Sequence, residues 1–131
     1  MTKKIITITG AAGNIAYSLI FRILSGNIFE QDTKIQLNLL DITSALPILF
    51  GVKLEIEDCA FTLLEDVVIT DDPNVAFADS DFILLVGAKP RSKGMQRAEK
   101  EGIDTKIIDY SAFSDRKEFD KSLEIEVLAL N

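Results

Sequence analysis

The sequence predicts an α/β fold, a doubly wound parallel sheet with helices on both faces. Aliphatic or β-branched runs recur at 4–9, 35–41, 67–70 and 82–86. Helix-spaced apolar residues separate these runs, so strands and helices alternate along the chain. The run Phe82-Ile83-Leu84-Leu85-Val86 is apolar without alternation, as a strand covered on both faces requires. Together these features imply parallel strands joined by right-handed crossovers.

The first strand spans about 4–9. The turn Gly10-Ala11-Ala12-Gly13 follows at once, and Ile15, Leu19, Ile20, Ile23 and Leu24 place a helix over about 13–25 that stops at Ser25-Gly26-Asn27. Ile35, Leu37 and Leu39 alternate with Gln36 and Asn38, giving a second strand that ends on Asp41. Thr43 or Ser44 caps a second helix, with Pro47 in its first turn and Leu46, Leu49, Phe50, Leu54 and Ile56 on one face. Residues 67–70 form a short third strand, Asp71-Asp72-Pro73 starts a brief helical turn, and Phe82 opens the fourth strand. The stretch 87–97 holds two glycines and Pro90 and reads as a loop, basic through Lys89, Arg91, Lys93 and Arg97. Ile103, Ile107, Tyr110 and Phe113 suggest an amphipathic helix to about Lys121, and 125–130 reads as a fifth strand.

Composition bounds the function. The 131 residues, 47% hydrophobic and 27% charged, fit one globular domain. No apolar run approaches the roughly 20 residues of a membrane span, and Lys3-Lys4 leads directly into the strand without a cleavable apolar segment. A cytoplasmic location is expected. A net charge of −7 argues against a nucleic-acid partner. Cys59 is the only cysteine and reads as a small buried residue, which leaves neither a disulfide nor a cysteine metal cluster. Glu55, Glu57 and Asp58 read as a solvated helix end, and no metal site is expected. The chain has no histidine, the commonest acid–base group near neutral pH, so no catalytic residue is assigned.

The glycine turn carries the chemistry. Gly10-x-x-Gly13-x-x-Ala16 is a variant of the dinucleotide fingerprint: Gly10 permits the turn, Gly13 lets backbone approach a pyrophosphate, and Ala16 lets helix pack on strand. Free amides at the helix start would hold the anion. A βα turn that binds nothing would use the same glycines. Asp41 is placed to accept the adenine ribose hydroxyls and to repel a 2′-phosphate, favouring NAD, although a turn aspartate could also serve as a cap. Arg91 and Arg97 flank the basic loop, where two guanidinium forks could clamp a dicarboxylate or simply be solvated.

Beyond these elements, Thr9-Gly10-Ala11-Ala12-Gly13, Leu39-Leu40-Asp41-Ile42, the segments 54–61 and 70–77, and 84–91 together resemble NAD-dependent malate dehydrogenase of the cytosolic type, over residues 4 to 97. The resemblance implies a Rossmann-like NAD-binding domain. It implies Gly10, Gly13, Asn14 and Ile15 around the pyrophosphate, Asp41 and Ile42 at the adenosine end, and Gly87 and Ala88 near the dinucleotide. It further implies that Arg91 and Arg97 contact the two carboxylates of malate or oxaloacetate, that Asn131 lies beside nicotinamide and substrate, and that the helix ending near Cys59 mediates a homodimer. Lys100-Glu101, Asp104, Ser111 and Leu130 depart from the family pattern. The family's catalytic Asp/His pair and third substrate arginine find no counterpart in these residues. Residues 1–131 are therefore expected to be the NAD-binding domain truncated at its C-terminal end and inactive alone.

Two other readings remain. Short-chain dehydrogenases also start with a Thr-Gly-x-x-Gly turn, but they need a Tyr-x-x-x-Lys couple, and Tyr17 and Tyr110 are followed at that spacing by Phe21 and Ser114. A non-catalytic nucleotide-binding or interaction module derived from a dehydrogenase would keep the fold and dispense with the missing histidine.

Overall fold

A computed structural model describes residues 2–85, 96, 99–100, 102 and 110–129. The chain divides into two compact units, Met1–Val86 and Gly87–Asn131.

The first unit is a four-stranded sheet in the order β3-β2-β1-β4. The strands are β1 (Thr2–Thr9), β2 (Thr33–Leu40), β3 (Leu64–Thr70) and β4 (Phe82–Leu85), and every pairing is parallel. The helices α1 (Asn14–Leu24), α2 (Leu46–Asp58) and α3 (Pro73–Phe77) form the connections. The chain steps from β1 outward to β3 and then returns across the sheet to β4, so the order reverses between β1 and β4. This is the doubly wound arrangement expected, and it places the switch point at the carboxyl ends of β1 and β4.

Register explains the division of the sheet into two faces. Ile6 pairs with Leu37, Thr7 with Asn38 and Ile8 with Leu39. The four aliphatic side chains are buried, on the face opposite Thr7 and Asn38. Thr7 and Asn38 are buried too, and both donate to the carbonyl of Ala76 in α3, which Ser80 also reaches at 3.2 Å. Apolar burial holds one face, and a satisfied polar cluster docks α3 on the other. Asp72 begins α3 by accepting the Asn74 N–H at 2.9 Å, as the Asp-Asp-Pro signal suggests.

Several boundaries differ from the sequence reading. β3 begins at Leu64 rather than at 67, because Leu64 pairs with Ile35 and Asp66 with Gln36 across a register shift that leaves Glu65 between them. Neither Thr43 nor Ser44 caps α2; Thr43–Ala45 is a 3-10 turn, and α2 starts at Leu46 without a side-chain cap. The buried face of α2 is Leu49, Val52 and Ile56, whereas Phe50 and Leu54 are 55% and 47% exposed. The expected stripe mixed two faces because the helix is apolar nearly all round. Cys59 is exposed, since it caps the helix end beyond the last buried turn. All four residues of β4 are half-buried rather than sealed, and among the described residues β4 has a strand on one side alone.

In the second unit, α4 (Arg116–Leu128) replaces both the expected helix end at Lys121 and the fifth strand at 125–130. Asp115 accepts the Glu118 N–H at 2.9 Å, and Glu118 reaches back to the Ser114 N–H and hydroxyl, a reciprocal cap that fixes the helix start. Phe119 is buried and meets Phe113 edge-on, with centroids 5.6 Å apart. Ile125, expected to open that strand, lies 57% exposed on the helix surface. Of the helix expected over 103–121, residues 103–109 lie outside the described residues, and Tyr110–Ala112 is a 3-10 turn that precedes α4.

Candidate functional site

The site is built at the carboxyl ends of β1 and β2, where two backbone segments lock together. Gly10 takes φ 61°, a left-handed conformation that leaves the strand abruptly and suits a residue without Cβ. The Ala11 N–H donates to the Leu40 carbonyl at 3.2 Å, and the Gly13 N–H donates to the Gly10 carbonyl at 3.0 Å. A Cβ on Gly13 would stand 3.2 Å from that Gly10 oxygen, so the turn is tight at the residue that precedes α1. Ala16 is fully buried, as close packing of α1 on the sheet demands.

α1 starts with its backbone donors uncovered. Gly13 is the N-cap and offers no side chain, and the first turn holds no acid. Among the described residues no acceptor meets the N–H groups of Asn14, Ile15 and Ala16; the first helical bond runs from Tyr17 to the Gly13 carbonyl at 3.0 Å. Unsatisfied amides and the helix dipole concentrate partial positive charge here, a cradle suited to a phosphate.

Asp41 lies against this turn. Its Oδ2 accepts the Ala12 N–H at 2.9 Å and its Oδ1 accepts the Ile42 N–H at 2.8 Å. The structure therefore brings Gly10, Gly13, Asn14, Ile15, Asp41 and Ile42 together, with Asp41 half-buried and Ile42 68% exposed. Gly87, Ala88, Arg91, Arg97 and Asn131 lie outside the described residues. The contact that sequence reasoning missed is the bond from Ala12 to Asp41. An acid ending a strand is visible in the sequence, but its proximity to a turn 29 residues away is not.

Tyr17, on the same helix, donates to Glu55 Oε2 at 2.7 Å and links α1 to α2. That hydrogen bond, followed by desolvation and the negative charges of Glu55 and Cys59, raises the Tyr17 pKa above its ordinary value. Among the described residues no cluster of acids or cysteine fits a metal ion.

Residues 4–118 match the family described as lactate/malate dehydrogenase, NAD binding domain. The chain belongs to this family. The dehydrogenase fingerprint and the acid at the end of β2 thus sit in an NAD-binding domain, and the residues present fit that cofactor: a turn tight at Gly13, open amides and a facing carboxylate. Malate dehydrogenase from Naegleria fowleri is 43% identical, with a TM-score of 0.65 over 76% of this chain and 30% of its own. An apo single-substitution variant of Trichomonas vaginalis lactate dehydrogenase is 42% identical, with a TM-score of 0.64 over 76% of this chain and 29% of its own. Trichomonas vaginalis lactate dehydrogenase in complex with NADH and oxamate is 43% identical, with a TM-score of 0.61 over 70% of this chain and 27% of its own. The chain thus spans less than a third of the length of these dehydrogenases.

Proposed function

We propose that this chain is the NAD-binding portion of a malate dehydrogenase, an enzyme that interconverts malate and oxaloacetate. The observation that carries this reading is the uncovered start of α1 beside the Asp41 carboxylate. Asn14 and Ile15 would hold the pyrophosphate through their amides, Asp41 would take the adenine ribose hydroxyls, and the exposed Ile42 would cover the adenosine. NAD, when bound, supplies the hydride acceptor.

Malate is favoured over lactate by Arg91 and Arg97, because two guanidinium groups match the two carboxylates of a four-carbon diacid. Gly87, Ala88 and Asn131 complete the proposed cofactor and substrate contacts. No histidine is present in residues 1–131, so the chain alone is proposed to bind cofactor without turning it over. That same absence favours, as a second reading, a non-catalytic nucleotide-binding module.

The proposed partner is a second copy of the chain, against the outer face of α2. Ile48, Phe50 and Leu54 are 56%, 55% and 47% exposed there. No described helix is long and apolar enough to cross a membrane, and a cytoplasmic location is part of the proposal.

Isothermal titration with NADH tests the cofactor assignment. Heat that ADP-ribose competes away is expected, and absence of both sinks it. Oxaloacetate reduction by the 131-residue protein should stay at background; turnover well above it would show that the chain supplies its own proton relay. A monodisperse monomer in light scattering would remove the dimer.

A further inference from the structure

We propose that Asp41 is a positioning residue for the pyrophosphate cradle as well as an acceptor for the ribose: its carboxylate latches the glycine turn in shape. The proposal rests on the NAD-binding reading above and deepens it. Three consecutive amides define the turn. Those of Ala11 and Gly13 are held by backbone carbonyls, but that of Ala12 is held by a side chain, Asp41 Oδ2 at 2.9 Å. Ala12 is flanked by Ala11 and Gly13 and lies two residues from Gly10 at φ 61°. Without the latch, the peptide between Ala11 and Ala12 can rotate at little steric cost, because glycines on either side of the pair absorb the change. Rotation would carry the amides of Asn14 and Ile15 away from a common focus.

Counting lone pairs shows that the two roles are compatible. An ionised carboxylate offers about four acceptor sites. The N–H groups of Ala12 and Ile42 fill two, and two remain, matching the two hydroxyls of an adenine ribose. A 2′-phosphate brings only acceptors to the same place and finds no donor. The latch adds a consequence that ribose recognition lacks: replacing Asp41 to admit a 2′-phosphate also unlocks the cradle, so that substitution weakens dinucleotide binding of either kind.

The test separates the latch from the ribose contact. Amide hydrogen exchange is followed by NMR in the ligand-free chain and in Asp41→Ala and Asp41→Asn. Affinities are measured for NADH and for its analogue carrying 2′,3′-dideoxyadenosine. Loss of a hydrogen bond to a charged group should speed Ala12 exchange at least about tenfold in Asp41→Ala. That variant should also bind the dideoxy analogue several-fold more weakly than the parent does, although no ribose hydroxyl is left to lose. Asn offers one carbonyl oxygen in place of two, so either Ala12 or Ile42 must exchange faster in Asp41→Asn even if Asp41→Ala fails to fold. Unchanged exchange at both amides in the folded variants, or equal affinity of parent and Asp41→Ala for the dideoxy analogue, overturns the latch. If NADH does not bind the parent chain, the cofactor reading falls and the exchange rates judge the latch by themselves.

Discussion

The starts of α1 and α4 treat the same physical problem in opposite ways. Both leave backbone N–H groups without intrahelical acceptors. At α4, Asp115, Glu118 and Ser114 close the end reciprocally within one turn. At α1 the cap is Gly13, the first turn has no acid, and the nearby carboxylate of Asp41 is spent on Ala12, before the helix begins. α4 is closed at its start by its own side chains, whereas α1 is left open beside an anchored turn, which suits the proposed pyrophosphate.

The comparison breaks most directly if α1 is sealed in the manner of α4. Asn14→Asp places a carboxylate in the first turn, where it gains about 0.3–1 kcal/mol from the helix dipole. The same charge repels a pyrophosphate, and NADH affinity in titration should fall about tenfold or more while thermal stability holds or rises. Equal affinity would show that the anion does not sit there. Gly10→Ala tests the turn upstream: a Cβ at φ 61° should cost about 1 kcal/mol in urea denaturation.

The sequence made the first of these helix starts legible and not the second. A glycine pair between a β-branched run and helix-spaced Ile15, Leu19 and Ile23 has one local reading, and β1, α1 and β2 fall within two residues of it. Asp41 was visible as an acid ending a strand, but its bond to Ala12 is tertiary. At the other end, Leu123, Ile125 and Val127 alternate with Glu124 and Glu126, a pattern that fits a half-buried strand; Phe119 and Leu123 also lie four residues apart on one helical face. The Ser114-Asp115-x-x-Glu118 signature decided between them locally. Phe50 and Leu54 misled because an apolar helix surface does not announce which side the sheet covers.

Removing the seal of α4 sharpens the contrast. Asp115→Ala should cost about 1 kcal/mol in denaturation and fray Arg116–Leu128, seen as faster amide exchange near Glu118. NADH affinity should not change. Asp72→Ala, which uncaps the shorter α3, should cost a similar amount or less, since Ala76 remains tied to Thr7 and Asn38.

The smallest effect concerns a carboxylate that reaches α1 from α2. Glu55 accepts the Tyr17 hydroxyl at 2.7 Å. The bond favours the protonated phenol, so the Tyr17 pKa lies above its ordinary 10.0. A pKa raised on folding contributes stability that is fully present below the unfolded value and is lost as pH rises through the folded one. The link between α1 and α2 should therefore persist through neutral pH and weaken only in the alkaline range. Absorbance titration near 295 nm checks it: the chain has two tyrosines, and Tyr17→Phe isolates the Tyr17 curve by difference. Glu55→Gln removes the charge and should return Tyr17 toward 10.0. If Glu55→Gln leaves the curve unmoved, the Tyr17–Glu55 bond does not hold in solution, and α1 and α2 lose the side-chain link it gives them.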